Sequence, residues 1–128
     1  MRTPRLLAEA GLKYVCDWPN DEQPYPMRGA SGSFFSLPVF LDLDDVLSGW
    51  TRHAPIMEWS RQVRDAFDVL YRDGRESGRL MVLNLHPWFI GQPYRIKYLS
   101  RALAHISKHP RVWKATGQEI VDWYAGSR

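Results

Sequence analysis

The sequence predicts an α/β fold with parallel strands covered by helices, forming either a portion of a larger α/β barrel or a unit that completes itself by oligomerising. Three observations carry this expectation. Segments with β-prone and helical periodicity alternate in the order helix, strand, strand, helix, strand, helix, strand, helix. The run "LMVLNL", residues 80–85, is apolar at nearly every position, as strands buried on both faces are. Finally, about four strands preceded by a helix would leave a strand edge and a helix face uncovered, which parallel sheets seldom tolerate.

The elements follow from local chemistry. "TPRLLAEAGL", residues 3–12, carries Thr3 as an N-cap, Pro4 at the first helical position, Leu6, Leu7 and Ala10 on one face, and Gly11 as a stop. "KYVCDW" is a short β-prone run, closed by the turn chemistry of "PNDEQPYP". "FFSLPVFLDL", residues 34–43, reads as a second strand, in which Pro38 points to an edge position or a bulge. From Pro55 to Tyr71, Ile56, Trp59, Val63, Phe67 and Leu70 recur at spacings of three and four, the stripe of an amphipathic helix. After "LMVLNL" a helix is expected from about Gln92 to Lys108 with Ile96, Leu99, Leu103 and Ile106 on one face. A short strand "RVWKA" and a helix from about Thr116 to Tyr124 then follow.

Composition narrows the function classes. The chain has 128 residues with 45% hydrophobic content, suited to a single domain over residues 1–128. Its net charge of +3 comes from 17 Lys and Arg scattered among 14 Asp and Glu without a basic block, so nucleic acid is not an expected partner. No apolar run approaches the roughly 20 residues that span a bilayer, so no membrane partner is expected. A single cysteine, Cys16, cannot form an internal disulfide and reads as a packed small residue, and a cytoplasmic location is expected. Trp18, Tyr25, Trp50 and Trp88 sit beside Pro or Gly or in loops, where aromatic faces cap cores or stack on ligands.

In parallel α/β folds the working groups collect where strands end. His86 terminates "LMVLNL" just before Pro87, and its titration near neutrality suits a general acid or base, with Trp88 and Phe89 beside it to exclude water. Asp17 ends the run after "KYVC", and Asp42, Asp44 and Asp45 crowd the exit of "FFSLPVFL"; turn, cap and solvated-loop roles are the simpler reading of these carboxylates. His105 and His109 have a spacing that can bind zinc, but no third ligand stands near them in sequence, and no metal is expected there or at His53. Phosphate-loop, serine-elbow and Cys-x-x-Cys patterns are absent.

"VLNLHPWFIGQPYRIKYLSRALAHISKHPRVWKATGQEIVDW", with Leu83-Asn84-Leu85-His86 at its strand end, resembles the C-terminal half of the polysaccharide deacetylase family, the NodB-like carbohydrate esterase family 4. "TPRLLAEAGLKYVCDW" and "DAFDVLYRDG" extend the likeness, and the allantoinase and peptidoglycan-deacetylase-like subgroup fits best. The resemblance implies a partial (β/α) barrel, and an activity that hydrolyses non-peptide carbon–nitrogen bonds, an N-acetyl sugar or a cyclic amide. It assigns His86 as the catalytic acid and Asp17, Trp18 and Trp88 to substrate binding. The family's zinc is held by an Asp and two His of motifs not found in these residues, so this chain is expected to carry no cofactor itself. Val15 also stands where relatives often carry an Asp. The expected partners are a glycan or small-molecule substrate and either a missing N-terminal half or further copies of the chain. As a fragment alone it is expected to be inactive; the alternative reading is a non-catalytic half-barrel used for ligand binding or assembly.

Overall fold

The computed structural model describes residues 2–27 and 34–127. They form a mixed α/β structure in two compact units, one built from residues 1–39 and 114–128 and the other from residues 40–113.

The first unit holds a three-stranded sheet and two helices. Helix α1 (Thr3–Glu9) starts one residue earlier than the capping pattern implies: Arg2 is the N-cap, no side chain caps it, and Pro4 still falls in the first turn, where its missing N–H has no helical partner to lose. Gly11 follows at φ 86, the left-handed region that glycine enters without steric cost. The strands β1 (Tyr14–Val15), β2 (Tyr25–Pro26) and β3 (Phe35–Ser36) lie in the order β1-β3-β2. β1 pairs parallel to β3, with Tyr14 opposite Phe35, whereas β2 pairs antiparallel to β3. The expectation of parallel strands is therefore met at one pairing and corrected at the other, where Tyr25 and Pro26, read from the sequence as turn residues, pair antiparallel to β3. Pro38 is neither on an edge strand nor in a bulge. Leu37 N–H still donates to the Val15 carbonyl at 2.8 Å, and Pro38, the next residue, lies past the end of β3 and has no N–H to offer. Cys16 follows β1 at the rim of the sheet and is exposed rather than packed.

Helix α5 (Gly117–Gly126) completes this unit. Thr116 and Glu119 form a capping box, the Thr116 hydroxyl accepting from Glu119 N–H while the Glu119 carboxylate accepts from Thr116 N–H at 2.7 Å. Its first turn lies against the sheet. A Cβ on Gly117 would stand 2.7 Å from the Tyr14 hydroxyl and 2.9 Å from Leu37, so only glycine allows that approach. Phe35 and Tyr124 meet edge to face at 5.6 Å.

The second unit is helical with an extended segment. A 3-10 turn at Leu41–Leu43 and a π-helical turn at Leu47–Thr51 lead into helix α2 (Ile56–Asp73); a short helix α3 (Pro87–Ile90) and helix α4 (Ile96–Ser107) follow. The stripe read from the sequence buries Trp59, Val63, Phe67 and Leu70 on α2. On α4 the buried pair is Leu99 and Ala102; Ile106 is half-buried, while Ile96 and Leu103 are largely exposed, so that face is narrower than its periodicity suggests. Leu43, Trp59, Val63, Ile90, Leu99 and Ala102 form the core, against which Met81, Leu83 and Leu85 of the extended segment pack. That segment is not a ladder-forming strand. Phe40 N–H donates to the Val82 carbonyl at 3.3 Å, but residues 80–85 pair in no sheet, and "RVWKA" is likewise not a strand. Apolar composition fixes burial, whereas strand status requires a neighbouring backbone in register.

Candidate active site

His86 sits at the end of the extended segment and is the N-cap of α3, with φ −110° and ψ 106°. Pro87 forces this geometry: it disfavours the helical region for the residue before it, then opens the helix itself. The imidazole thereby stands where the extended segment gives way to α3, with its side chain one-third exposed.

What faces it is a buried carboxylate. Asp45 is fully buried, and its Oδ1 lies 2.7 Å from His86 Nδ1. The same carboxylate accepts from the His86 backbone N–H, at 3.1 Å to Oδ2, and from Val46 N–H at 3.0 Å. Asp44 lies beside it, its Oδ1 accepting from Leu47 N–H at 2.7 Å and its Oδ2 from the Asn84 amide at 2.6 Å. Asp45 therefore grips both the ring and the main chain of His86, while Asn84, two residues before His86, ties the extended segment to Asp44. An acceptor at Nδ1 makes that nitrogen an N–H donor to Asp45 and leaves Nε2 as the ring nitrogen that Asp45 does not engage. The hydrogen bond that His86 donates to Asp45 raises the His86 pKa; desolvation opposes it and the charges of Asp45 and Asp44 add to it.

Trp59 supports this arrangement from below, its buried indole N–H donating to the Leu43 carbonyl at 2.9 Å, immediately before the two aspartates. Above His86 lies an aromatic rim. Trp88 stands edge to face with the imidazole at 6.1 Å and with Trp50 at 6.2 Å, and both indoles are largely exposed. Phe89, expected beside the site, is instead in the core with the Arg95 guanidinium 3.8 Å from its ring centre. A Cβ on Gly49 would stand 2.6 Å from that ring, so the π-helical turn can come this close only with glycine.

Of the residues singled out from sequence, the structure brings His86 and Trp88 together in one unit. Asp17 and Trp18 belong to the other unit, where Asp17 is exposed and the Trp18 carbonyl accepts from the Tyr25 hydroxyl at 3.2 Å. Asp45 and Asp44 were read as cap and loop carboxylates. Asp44 does serve as a cap toward Leu47, but both are buried and bind the His86 neighbourhood. Only Asp42 of the three is solvated, paired with Arg52 at 2.8 Å. Their crowding at the exit of an apolar run was the available signal.

Asp44, Asp45 and His86 bring ligand atoms within 4.8 Å of one another. Their carboxylate oxygens also accept hydrogen bonds from N–H groups of Val46, Leu47, Asn84 and His86, which tie the carboxylates to the backbone around them. The geometry defines a histidine–carboxylate pair.

Fold and site together define a mixed α/β chain in which a partly exposed histidine is oriented by a buried aspartate. No family model matches the sequence. A Schizosaccharomyces pombe (strain 972) protein named as a polysaccharide deacetylase is 31% identical over 121 residues, covering 83% of this chain and 37% of its own length. Among solved structures, a PuuE allantoinase superposes with a TM-score of 0.86 at 29% identity over 97% of this chain and 43% of its own. A polysaccharide deacetylase-type protein of Pseudomonas aeruginosa PAO1 gives a TM-score of 0.90 at 26% identity over 99% of this chain and 44% of its own. One from Mycobacterium smegmatis gives 0.82 at 27%, over 98% and 46%. The chain is homologous to the polysaccharide deacetylase family over part of that family's fold. It spans less than half the length of each of these relatives.

Proposed function

We propose that this chain supplies the acid half of a hydrolase of non-peptide carbon–nitrogen bonds, acting on an N-acetyl sugar or a cyclic amide. The observation that carries the reading is the buried Asp45 carboxylate 2.7 Å from His86 Nδ1. Amide hydrolysis needs an attacking water and a proton for the departing nitrogen. His86, held in the protonated form to higher pH by Asp45, donates that proton from Nε2 as the carbon–nitrogen bond breaks. Asp45 orients the ring and balances its charge. Trp88 and Trp50 offer flat apolar faces to a sugar or a planar ring, and Asp17 and Trp18 are assigned to substrate binding on the likeness of their segment alone. The family's water-activating motifs are not found in this sequence, and on this reading the chain alone does not turn substrate over. A cytoplasmic location belongs to the same reading and rests on the lone cysteine; no helix of the described residues is long and apolar enough to cross a membrane.

The exposure of Trp50 and Trp88 also favours a second reading, in which the chain binds a glycan or a partner without catalysis. Two measurements decide. N-acetylglucosamine oligomers and allantoin are each titrated into the chain while the His86 ring nitrogens and the Trp88 indole are followed by NMR. Shifts at both residues with one ligand support the acid-half reading, shifts at the indole alone support the binding reading, and none with either ligand discards both. The purified chain with added zinc is expected to release no acetate from those oligomers; measurable turnover would show that the water-activating group lies within these residues.

A further inference from the structure

We propose that Asp68, His105 and His109 form a transition-metal site, of the kind zinc occupies, that clamps α2 to α4. In the sequence the two histidines lack a third ligand, and the fold provides one from 37 positions away: Asp68 Oδ1 on α2 lies 2.6 Å from His105 Nε2 on α4. One donor atom from each of the three residues falls within 4.8 Å of the others. Bonds of about 2.0–2.1 Å in a tetrahedral zinc site place neighbouring ligand atoms about 3.3 Å apart. The Asp68 carboxylate must therefore retreat by less than 1 Å, by the same bond-length geometry, to admit an ion. It is half-exposed and free to do so.

The second histidine is already oriented. His109 Nδ1–H donates to the His105 carbonyl at 3.0 Å, leaving Nε2 with its lone pair available. A backbone carbonyl on the far nitrogen is the usual partner that fixes a metal-binding imidazole. The ring also packs edge to face on Phe67, at 4.9 Å, and on Tyr71, at 4.8 Å. Two imidazoles and one carboxylate select zinc, copper, nickel or cobalt over magnesium or calcium, and half-exposure leaves the fourth position to water. The site is unlike the cluster around Asp45, whose carboxylate oxygens are taken up by backbone and amide donors. As a brace it joins the two helices that carry most of the second unit's core, which already share the Ser60 hydroxyl bond to the Tyr98 carbonyl at 2.8 Å.

The test adds zinc alone to the whole chain, with binding measured by competition against a chromogenic chelator and by thermal unfolding. One zinc per chain is expected, with a raised unfolding midpoint and NMR shifts at the His105 and His109 rings. Asp68→Asn, His105→Gln and His109→Gln should each weaken binding at least about tenfold, the scale set by losing even an outer partner of a ligand. His86→Gln should leave zinc affinity unchanged. Far-UV circular dichroism confirms that each variant folds, and Asp68→Asn, which keeps shape and half-exposure, stands in if a histidine variant does not. Absence of saturable binding, or binding that survives Asp68→Asn and the double histidine variant, would overturn the proposal, as would binding lost only in His86→Gln.

Discussion

Trp59→Phe tests how the core holds the candidate site. Trp59 is fully buried, and its indole N–H is the donor to the Leu43 carbonyl at 2.9 Å. Phenylalanine keeps an apolar ring in the cluster that includes Val63 and Leu99 but removes that donor, leaving the Leu43 carbonyl without its partner. The orphaned carbonyl costs about 1–3 kcal/mol. The smaller ring leaves a void worth about 1 kcal/mol more, at the lower end of large-to-small core substitutions. Together the loss is about 2–4 kcal/mol. With a urea slope of about 2 kcal/mol per molar, the unfolding midpoint should fall by about 1–2 M at unchanged slope. The same variant should loosen the His86–Asp45 pairing, because Leu43 directly precedes the two aspartates; NMR of the His86 ring reads this independently. A midpoint within about 0.25 M of the parent, corresponding to about 0.5 kcal/mol, would refute the claim that this bond anchors the turn.

Asp45→Asn should lower the His86 pKa, since the Asp45 hydrogen bond is the first cause of its elevation; NMR titration of the ring checks this. The folded-state pKa of His86 lies above its unfolded value, so the stabilisation from this pair is full below about pH 6.5 and fades as the pH rises through the folded value. Urea midpoints of the parent should accordingly lose this contribution over that interval while Asp45→Asn does not, and parallel pH profiles would contradict the pairing. Phe67→Ala should cost about 3–5 kcal/mol, because the ring is buried on α2 and packs on Tyr71, His105 and His109; an unchanged urea midpoint would rule that packing out. Thr116→Ala should cost about 0.5–2 kcal/mol through loss of the α5 capping box, with Thr116→Ser retaining most of it in the same assay.

The amphipathic stripe on α2, the start of α5 near Thr116 and the break in the extended segment at Pro87, just after His86, were determined by the amino-acid sequence itself. Each depends on residues within four positions of one another, where backbone geometry and side-chain spacing act directly. Strand identity was not of that kind. Residues 80–85 are apolar enough to be buried, yet a ladder depends on which backbone lies alongside, and one bond from Phe40 N–H does not make a sheet. Nor did composition announce that β2 returns antiparallel to β3. The chemistry of the chain was decided in the same way. Asp45 and His86 are 41 positions apart and Asp68 and His105 are 37 apart, and only the folded path brings each carboxylate to its imidazole. A side chain's type is local, but the partner that orients its ring and, for His86, raises its pKa comes from a distant segment, and this the tertiary structure alone decided.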